Sequence, residues 1–169
     1  MANTEQWHAL WTHSHSERLV HDQLAAKDFQ VFLPEVEVWG RVRGARRARR
    51  VPLFPGYLFL RHELDKASYV AVSRTRGLVR VLGERWDRPA VVPDQDVTAI
   101  QRVLGTQLHP LPHPYLREGH RVRVHRGPLA GVEGILVESQ PDRGLLVLSV
   151  DLFCRSLAVE IDCTLAGAA

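Results

Sequence analysis

The ten residues at 51–60, Val-Pro-Leu-Phe-Pro-Gly-Tyr-Leu-Phe-Leu, constrain the fold of this chain more than any other stretch. In a β-strand, alternate side chains point to opposite faces of the sheet. Six large apolar side chains would then divide between the two faces, with Leu53, Tyr57 and Phe59 on one and Phe54, Leu58 and Leu60 on the other. Because both faces are apolar, both need cover. We expect one face to pack on helices and the other to meet more protein, from this chain or from a partner.

An arginine-rich segment directly precedes this strand. It contains six arginines and no acidic residue: Arg41, Arg43, Arg46, Arg47, Arg49 and Arg50. Such clusters commonly contact phosphate groups, and a loop kept soluble by its charge is an equally good interpretation. Gly40 and Gly44 provide turn points, so the sequence predicts an extended hairpin or a mobile loop.

Length and cysteine content restrict the class of protein. A chain of 169 residues is long enough for one domain or two small ones. Its two cysteines, Cys154 and Cys163, lack C-x-x-C spacing and favour reduced thiols in a cytoplasmic protein. No apolar run approaches the ~20 residues of a membrane helix, and the N-terminus lacks a signal-peptide pattern. We therefore expect a cytoplasmic protein with no membrane partner.

Residue patterns for catalysis or metal binding are sparse. His13 and His15 form the only close histidine pair, and no cysteine or acidic ligand set stands beside them. The sequence has no Gly-rich phosphate loop and neither of the hydrolase motifs G-x-S-x-G and H-E-x-x-H. We predict that the protein is not an enzyme and that it uses no metal and no cofactor.

Strands and helices mix in the first part of the chain. Apolar residues at every second position, Trp7, Ala9 and Trp11, predict a strand at 7–13. Ser14 and Glu17 form a capping-box pattern, which predicts a helix from about residue 15 to 27. The mixture continues to residue 104. It predicts an α+β fold in which residues 1–106 form an antiparallel sheet flanked by helices.

The composition changes after residue 106. Pro110, Pro112 and Pro114 disfavour regular structure, so residues 107–116 are predicted to be an extended linker. Residues 117–169 contain short alternating runs separated by turn residues, with no helical pattern between them. This arrangement predicts a small β-barrel.

Two sets of motifs resemble the NusG family of transcription elongation factors over nearly the whole chain. The set that resembles the family's N-terminal (NGN) domain comprises 7–11, Leu-Phe-Pro-Gly-Tyr-Leu-Phe at 53–59, and Thr-Arg-Gly-Leu at 75–78. The set that resembles its KOW domain comprises Gly-His-Arg-Val-Arg-Val at 119–124, Gly-Pro-Leu-Ala-Gly at 127–131, and Leu-Phe-Cys-Arg at 152–155. The resemblance implies an NGN-like domain, a linker and an SH3-like KOW barrel.

The resemblance also implies a monomeric factor that binds bacterial RNA polymerase and suppresses pausing or termination. In the family, an apolar depression of the NGN domain seats the β′ clamp helices of polymerase, and the far side reaches the β gate loop. The motif at 53–59 carries the clamp contact over to Tyr57 and Phe59, with Trp11 and Phe54 as further candidates.

Further partners follow from the same resemblance. Specialised relatives contact the exposed non-template DNA strand through basic NGN residues, for which the candidates here are His13, Arg18, Arg76 and the six arginines at 41–50. The KOW barrel resembles one that binds the ribosomal protein NusE or the termination factor Rho. The loop used there corresponds to the one holding Pro128 and Leu129, so this domain would link polymerase to the ribosome or to other factors.

The motifs at 53–60 and 89–93 are more similar to RfaH-type paralogues, which act as antiterminators on chosen operons. The His-Thr-Thr run that RfaH uses at the gate loop is not matched by Ser-Tyr-Val at 68–70. RfaH can also fold its C-terminal domain as a helical hairpin, whereas the glycines and alternating valines here predict strands and no helical form. Cys154 replaces the usual glycine of a Phe-Gly-Arg run, which predicts a distorted turn.

Two other classes of function are compatible with parts of the sequence. The arginine-rich segment and the KOW motifs also suit an RNA-binding, ribosome-associated KOW module. In such a protein the arginines, and not Tyr57 and Phe59, would dominate binding. A small hydrolase is the third class, and no set of catalytic residues supports it.

Overall fold

The protein divides into two units in the computed structural model, which describes residues 5–169. The first unit ends at Asp94 and the second comprises Gln95–Ala169. The first combines strands with helices, while the second is rich in strands, so the predicted α+β class is confirmed. The predicted linker at 107–116 lies inside the second unit, and the functional domain limits at 106 and 117 stay predictions.

Ten elements make up the described part of the first unit. In chain order they are β1 (Gln6–Thr12), α1 (Glu17–Ala26), β2 (Gln30–Phe32), β3 (Glu35–Val42), β4 (Ala45–Pro52), β5 (Tyr57–His62), α2 (Lys66–Ser73), β6 (Leu78–Val81), β7 (Gly83–Arg85) and β8 (Arg88–Pro89). The main sheet is antiparallel and has the strand order β2-β5-β1-β6. Strands β3 and β4 pair only with each other, as do β7 and β8.

One face of the main sheet forms a core with the first two helices. Leu10 of β1 and Leu58 and Leu60 of β5 lie in one cluster with Val20 and Leu24 of α1 and Val72 of α2, and all six side chains are fully buried. Strand β5 is the central apolar strand of the sequence analysis. Its even-numbered face therefore packs on helices, as expected.

The first two helices differ in how their N-termini are capped. The predicted capping box at Ser14 and Glu17 is wrong, because α1 begins only at Glu17 and its N-cap, Ser16, makes no capping hydrogen bond through its side chain. Helix α2 is capped by Asp65, whose Oδ1 accepts the backbone N–H of Ser68 at 2.7 Å. The Ser68 amide and hydroxyl hold the pKa of the Asp65 carboxyl below its usual range.

The second unit is built around one antiparallel sheet with the strand order β14-β10-β11-β12-β13-β9. Its elements are α3 (Asp94–Leu104), which starts at the boundary, β9 (Leu111–His113), β10 (His120–Val124), β11 (Glu133–Gln140), β12 (Arg143–Val150), β13 (Arg155–Asp162) and β14 (Ala166–Ala168), with 3-10 turns at Asp151–Phe153 and Cys163–Leu165. Ile135, Val147 and Ala158 form a buried cluster on three adjacent strands.

Part of the predicted linker is a strand. Leu111–His113 pairs with β13 and places Pro112 opposite Leu157. Because β9 is the last strand of the sheet order, Pro112 can take part although it has no N–H to donate to a further strand. Proline spacing indicates an extended chain, but it does not show whether that chain joins a sheet edge.

The turn at Cys154 keeps a conformation typical of glycine. Cys154 has φ 51° and ψ 53°, which is the left-handed helical region, and its N–H donates to the carbonyl of Asp151 at 3.3 Å. A hydrogen-bonded turn therefore forms here with a cysteine in the left-handed conformation. A residue with a Cβ adopts this conformation at a cost of about 1–2 kcal/mol.

Candidate functional site

An exposed aromatic patch lies where β1 and β5 approach the turn before β5. Trp11 is directly opposite Tyr57 in the strand register, so the two side chains share a face of the sheet. Trp11 is 42% exposed, Tyr57 is half-buried and the neighbouring Pro55 is exposed. We call Trp11, Pro55 and Tyr57 the aromatic patch. The patch adjoins the buried pair Ala9 and Phe59 on the same sheet face, and this packed core supports it.

A tight turn over Phe54–Tyr57 fixes this patch. The N–H of Tyr57 donates to the carbonyl of Phe54 at 3.0 Å, and Gly56 has a φ of 88°. Proline at the second position and glycine with positive φ at the third are typical of a type II turn. Gly56 also donates its N–H to Glu17 Oε1 at 2.8 Å. The carboxylate that was expected to cap α1 therefore ties the start of that helix to the turn.

Phe54 and Phe59 do not belong to the exposed surface. Phe59 is fully buried and stacks on Phe32 with the ring centroids 6.0 Å apart, while Phe54 is also buried and meets Phe59 edge to face at 6.5 Å. Both were expected to face a partner. The second apolar face of β5 is instead covered within this chain at Phe59 and becomes accessible only at Tyr57.

The six arginines lie on the hairpin formed by β3 and β4. Its two-residue turn consists of Arg43 and Gly44, with φ angles of 51° and 78°, as a type I′ turn requires. The register pairs Arg41 with Arg46 and Trp39 with Ala48. All six arginines are exposed. The segment is therefore a regular two-stranded ribbon, which was one of the two predicted alternatives.

Trp39 is a surface residue that the sequence analysis missed. It is 60% exposed, and the guanidinium of Arg46 lies over its ring at 5.2 Å from the centroid. Sequence alternation indicated only a half-exposed strand here. The signal that could have identified Trp39 is its closeness to the arginine run, since aromatic and basic side chains together are typical of nucleic-acid-binding surfaces.

The other predicted basic residues differ in their surroundings. His13 and Arg76 are exposed, and the backbone N–H of His13 donates to the carbonyl of Gly77 at 2.8 Å, which holds the two segments together. Arg18 is ion-paired with the largely buried carboxylate of Glu35 and lies 3.9 Å from Asp22. Its charge is therefore partly compensated within the protein.

In the second unit, the predicted partner-binding loop is held at its backbone. Pro128 is exposed, whereas Leu129 is buried, so Leu129 packs inside the unit and does not present its side chain. Arg102 of α3 donates from Nη2 to the carbonyl of Pro128 at 3.0 Å and from Nη1 to the carbonyl of Ala130. These bonds restrict the loop that presents Pro128.

Asp96 on the first turn of α3 has a perturbed acidity. Burial raises the pKa of its carboxyl to about 6, the nearby Asp151 acts in the same direction, and Arg121 opposes the shift. The hydroxyl of Tyr115 donates to Asp151 at 2.7 Å. These groups form a polar cluster within the second unit.

Residues 5–169 hold neither a metal-binding cluster nor a membrane-spanning helix. No group of three or more His, Cys, Asp or Glu residues there is arranged to hold a metal ion. Among the helices of the same residues, none is long and apolar enough to cross a membrane.

Comparisons with known proteins agree on one family. The family model described as "Transcription termination factor nusG" matches residues 5–101. The chain is 32% identical over 134 residues to "Transcription termination/antitermination protein NusG" of Escherichia coli (strain K12), a match that covers 79% of this chain and 74% of that protein. It is 33% identical over 147 residues to the protein of the same name from Thermus thermophilus, covering 82% of this chain and 80% of that protein.

A solved structure supports the same fold. The chain titled "Domain interaction in Thermotoga maritima NusG" matches with a TM-score of 0.58 and 16% identity, and the match covers 96% of both chains. The family model spans more than half of the present chain, and the sequence relatives exceed 30% identity over more than two thirds of it. The protein therefore belongs to the NusG family of transcription termination and antitermination proteins.

Proposed function

We propose that this protein is a transcription elongation and antitermination factor that docks on bacterial RNA polymerase through the aromatic patch. The observation that carries the proposal is the Trp11–Tyr57 pair, which is accessible at the end of a sheet face on which Trp7, Ala9 and Phe59 are buried. Aromatic anchors on a rigid base are typical binding hot spots. The proposed partner surface is the β′ clamp helices.

A contact with the β gate loop would attach the factor across the polymerase cleft and suppress pausing. The segment at 68–70 lies on α2, where Val70 is partly exposed and the hydroxyl of Ser68 is bound to Asp65. Ser68 therefore has a structural use in its own helix. We assign the gate-loop contact to the α2 surface as a whole.

The basic residues support a second contact, with the non-template DNA strand. The arginine hairpin, His13 and Arg76 expose their side chains, and phosphate groups are the natural partners of such residues. Arg18 contributes less, because Glu35 and Asp22 already compensate it. A factor that holds both polymerase and displaced DNA would act in the cytoplasm.

We assign the second unit the binding of NusE or Rho through the loop at 127–131. Pro128 is the exposed contact residue, and Leu129 supports the loop from inside. The bonds from Arg102 to the loop carbonyls keep this surface in one conformation. An operon-specific, RfaH-type role remains a prediction based on the motifs at 53–60 and 89–93.

Binding of the full chain to bacterial core RNA polymerase tests the main proposal. We expect Trp11→Ala and Tyr57→Ala each to weaken binding by about 2 kcal/mol, roughly thirtyfold in Kd, and to reduce antipausing activity in a transcription assay. Leu111→Ala is the control, since Leu111 is a 65% exposed apolar residue of the second unit. Wild-type binding by Trp11→Ala and Tyr57→Ala, with circular dichroism showing both variants folded at the assay temperature, would contradict the proposal.

The exposed arginine hairpin favours a second candidate, an RNA-binding module associated with the ribosome. Such a protein would keep its affinity for RNA in the Trp11→Ala variant and lose it, with a steep salt dependence, when the hairpin arginines are neutralised. A polymerase-binding factor would instead lose more affinity for polymerase in the Trp11→Ala variant than in the variant with neutralised hairpin arginines.

A further inference from the structure

The two faces of the arginine hairpin differ in chemistry. Directly paired residues share a face, so the register assigns one set of side chains, here called the tryptophan face, as Glu35, Glu37, Trp39, Arg41, Arg46, Ala48, Arg50 and Pro52. The opposite face carries Val36, Val38, Gly40, Val42, Ala45, Arg47, Arg49 and Val51. Six of the eight members of the tryptophan face are exposed, all but Glu35 and Pro52 at the base, whereas on the opposite face Val36, Val38 and Val51 are half-buried. The tryptophan face is thus the more solvent-accessible side of the ribbon.

On the tryptophan face, cations flank the indole on both sides along the ribbon. On this face the Arg41–Arg46 pair lies two residues from Trp39 toward the tip, and Arg50, directly opposite Glu37, lies two residues from it toward the base. A two-residue step along a strand is about 6.8 Å long. Ala48 occupies the position opposite Trp39 and leaves room beside the ring. The Arg46 guanidinium lies over one face of the indole, and the exposed ring has two arginines on its tip side and an arginine paired with a glutamate on its base side.

We propose that the tryptophan face binds single-stranded DNA by stacking a base on Trp39 while Arg41, Arg46 and Arg50 contact the flanking phosphates. Every base has a flat π-surface, and aromatic side chains in cationic grooves bind single strands by stacking. In a duplex the base faces are already stacked on one another, so the exposed indole would have no partner there. The choice of DNA as the ligand rests on the proposed function, because a factor bound to transcribing polymerase would lie near the displaced non-template strand, which is single-stranded DNA.

The opposite face would not form such a site. It has two arginines, Arg47 and Arg49, and no aromatic residue. Both lie on β4, as do Arg46 and Arg50, and all four are exposed. The hairpin therefore provides its own control, because two positive charges can be removed from either face of one strand.

The test measures binding of the full chain to a labelled mixed-sequence DNA 15-mer without polymerase. We expect Trp39→Ala to weaken binding at least about fivefold, Trp39→Phe to retain most of it, and Val42→Ala, at an exposed residue of the other face, to have no effect. The double change Arg46→Gln/Arg50→Gln should lower the slope of log affinity against log salt by about 1.4. The matched change Arg47→Gln/Arg49→Gln should alter the slope less.

Several results would overturn this inference. Full affinity in Trp39→Ala, equal effects of the two arginine pairs, or equal affinity for a duplex of the same sequence would show that the ribbon is only a cationic surface. Tighter binding of the corresponding RNA 15-mer would exclude DNA as the preferred strand. Because polymerase is absent, these outcomes are independent of the aromatic patch, and Trp11→Ala should bind the 15-mer normally.

Discussion

The pair β1–β5 and the hairpin β3–β4 are both antiparallel ladders of the first unit, but their side chains have opposite surroundings. In β1–β5, Leu10 and Leu58 are fully buried on one face, and Ala9 and Phe59 are fully buried on the other. In β3–β4, every residue from Arg41 to Arg50 is exposed. Strands β1 and β5 are also paired on both edges, whereas β3 and β4 pair with each other alone, so backbone pairing and side-chain burial both favour the β1–β5 ladder.

An isolated hairpin is marginally stable in water, and the arginine hairpin depends on its base for support. Val36 and Val51 are paired and half-buried there, and the N–H of Leu53 donates to the carbonyl of Pro34 at 2.8 Å. Beyond this base, the side chains contribute little packing. The comparison indicates that β1–β5 determines the fold and that the outer hairpin is available for binding.

The largest expected effect is in the buried ladder. Phe59→Ala should lower the free energy of unfolding by about 3–5 kcal/mol, because it removes a fully buried ring that packs on Phe32 and Phe54. Tyr57→Ala, two residues away on the same face, should lower it by only about 1 kcal/mol, because Tyr57 is half-buried. Urea denaturation of the full chain measures both. Equal losses would show that the aromatic patch is part of the core.

Two glycines with positive φ, one beside each ladder, test the difference between β1–β5 and the β3–β4 hairpin. Gly56 precedes β5 and Gly44 is at the hairpin tip, with φ angles of 88° and 78° and no close obstruction to an added Cβ. Alanine at either position should cost about 1–2 kcal/mol in local conformation. We expect Gly56→Ala to lower the global free energy of unfolding by that amount.

Gly44→Ala should instead leave the global free energy of unfolding nearly unchanged, since the hairpin can open without unfolding the main sheet. Faster amide exchange confined to β3 and β4 would record the local opening. A global loss in Gly44→Ala as large as that in Gly56→Ala would mean that the hairpin is an integral part of the fold.

Much of this architecture could be predicted from the sequence. The apolar run at 57–60 and the glycine at position 44 indicated the correct strand and hairpin, because these patterns depend on local geometry. The family motifs at 53–59 and 119–131 identified the relatives. Neither kind of pattern depends on what packs against a given side chain.

Exposure within the site could not be predicted in the same way. Tyr57 and Phe59 are alternate residues of one strand and point to the same face. Only the structure shows that Phe32 and Phe54 cover Phe59. Leu129 was expected on a binding surface and is buried. For Trp39, the arginines that share its face depend on the register, which in turn depends on the two-residue turn at Arg43 and Gly44.

The smallest expected effect concerns the charges of the hairpin itself. Arg41 lies directly opposite Arg46, and like charges in this position destabilise a ladder by roughly 0.2–1 kcal/mol. Arg41→Gln should therefore stabilise the hairpin slightly, slow its amide exchange, and at the same time weaken binding of single-stranded DNA. Arg47→Gln is the control, since Arg47 is opposite Gly40 and its removal relieves no such repulsion. If Arg41→Gln stabilises the hairpin but weakens DNA binding, the arginine pair contributes to binding at a cost in stability. If the change lowers both hairpin stability and DNA affinity, Arg41 supports the ribbon.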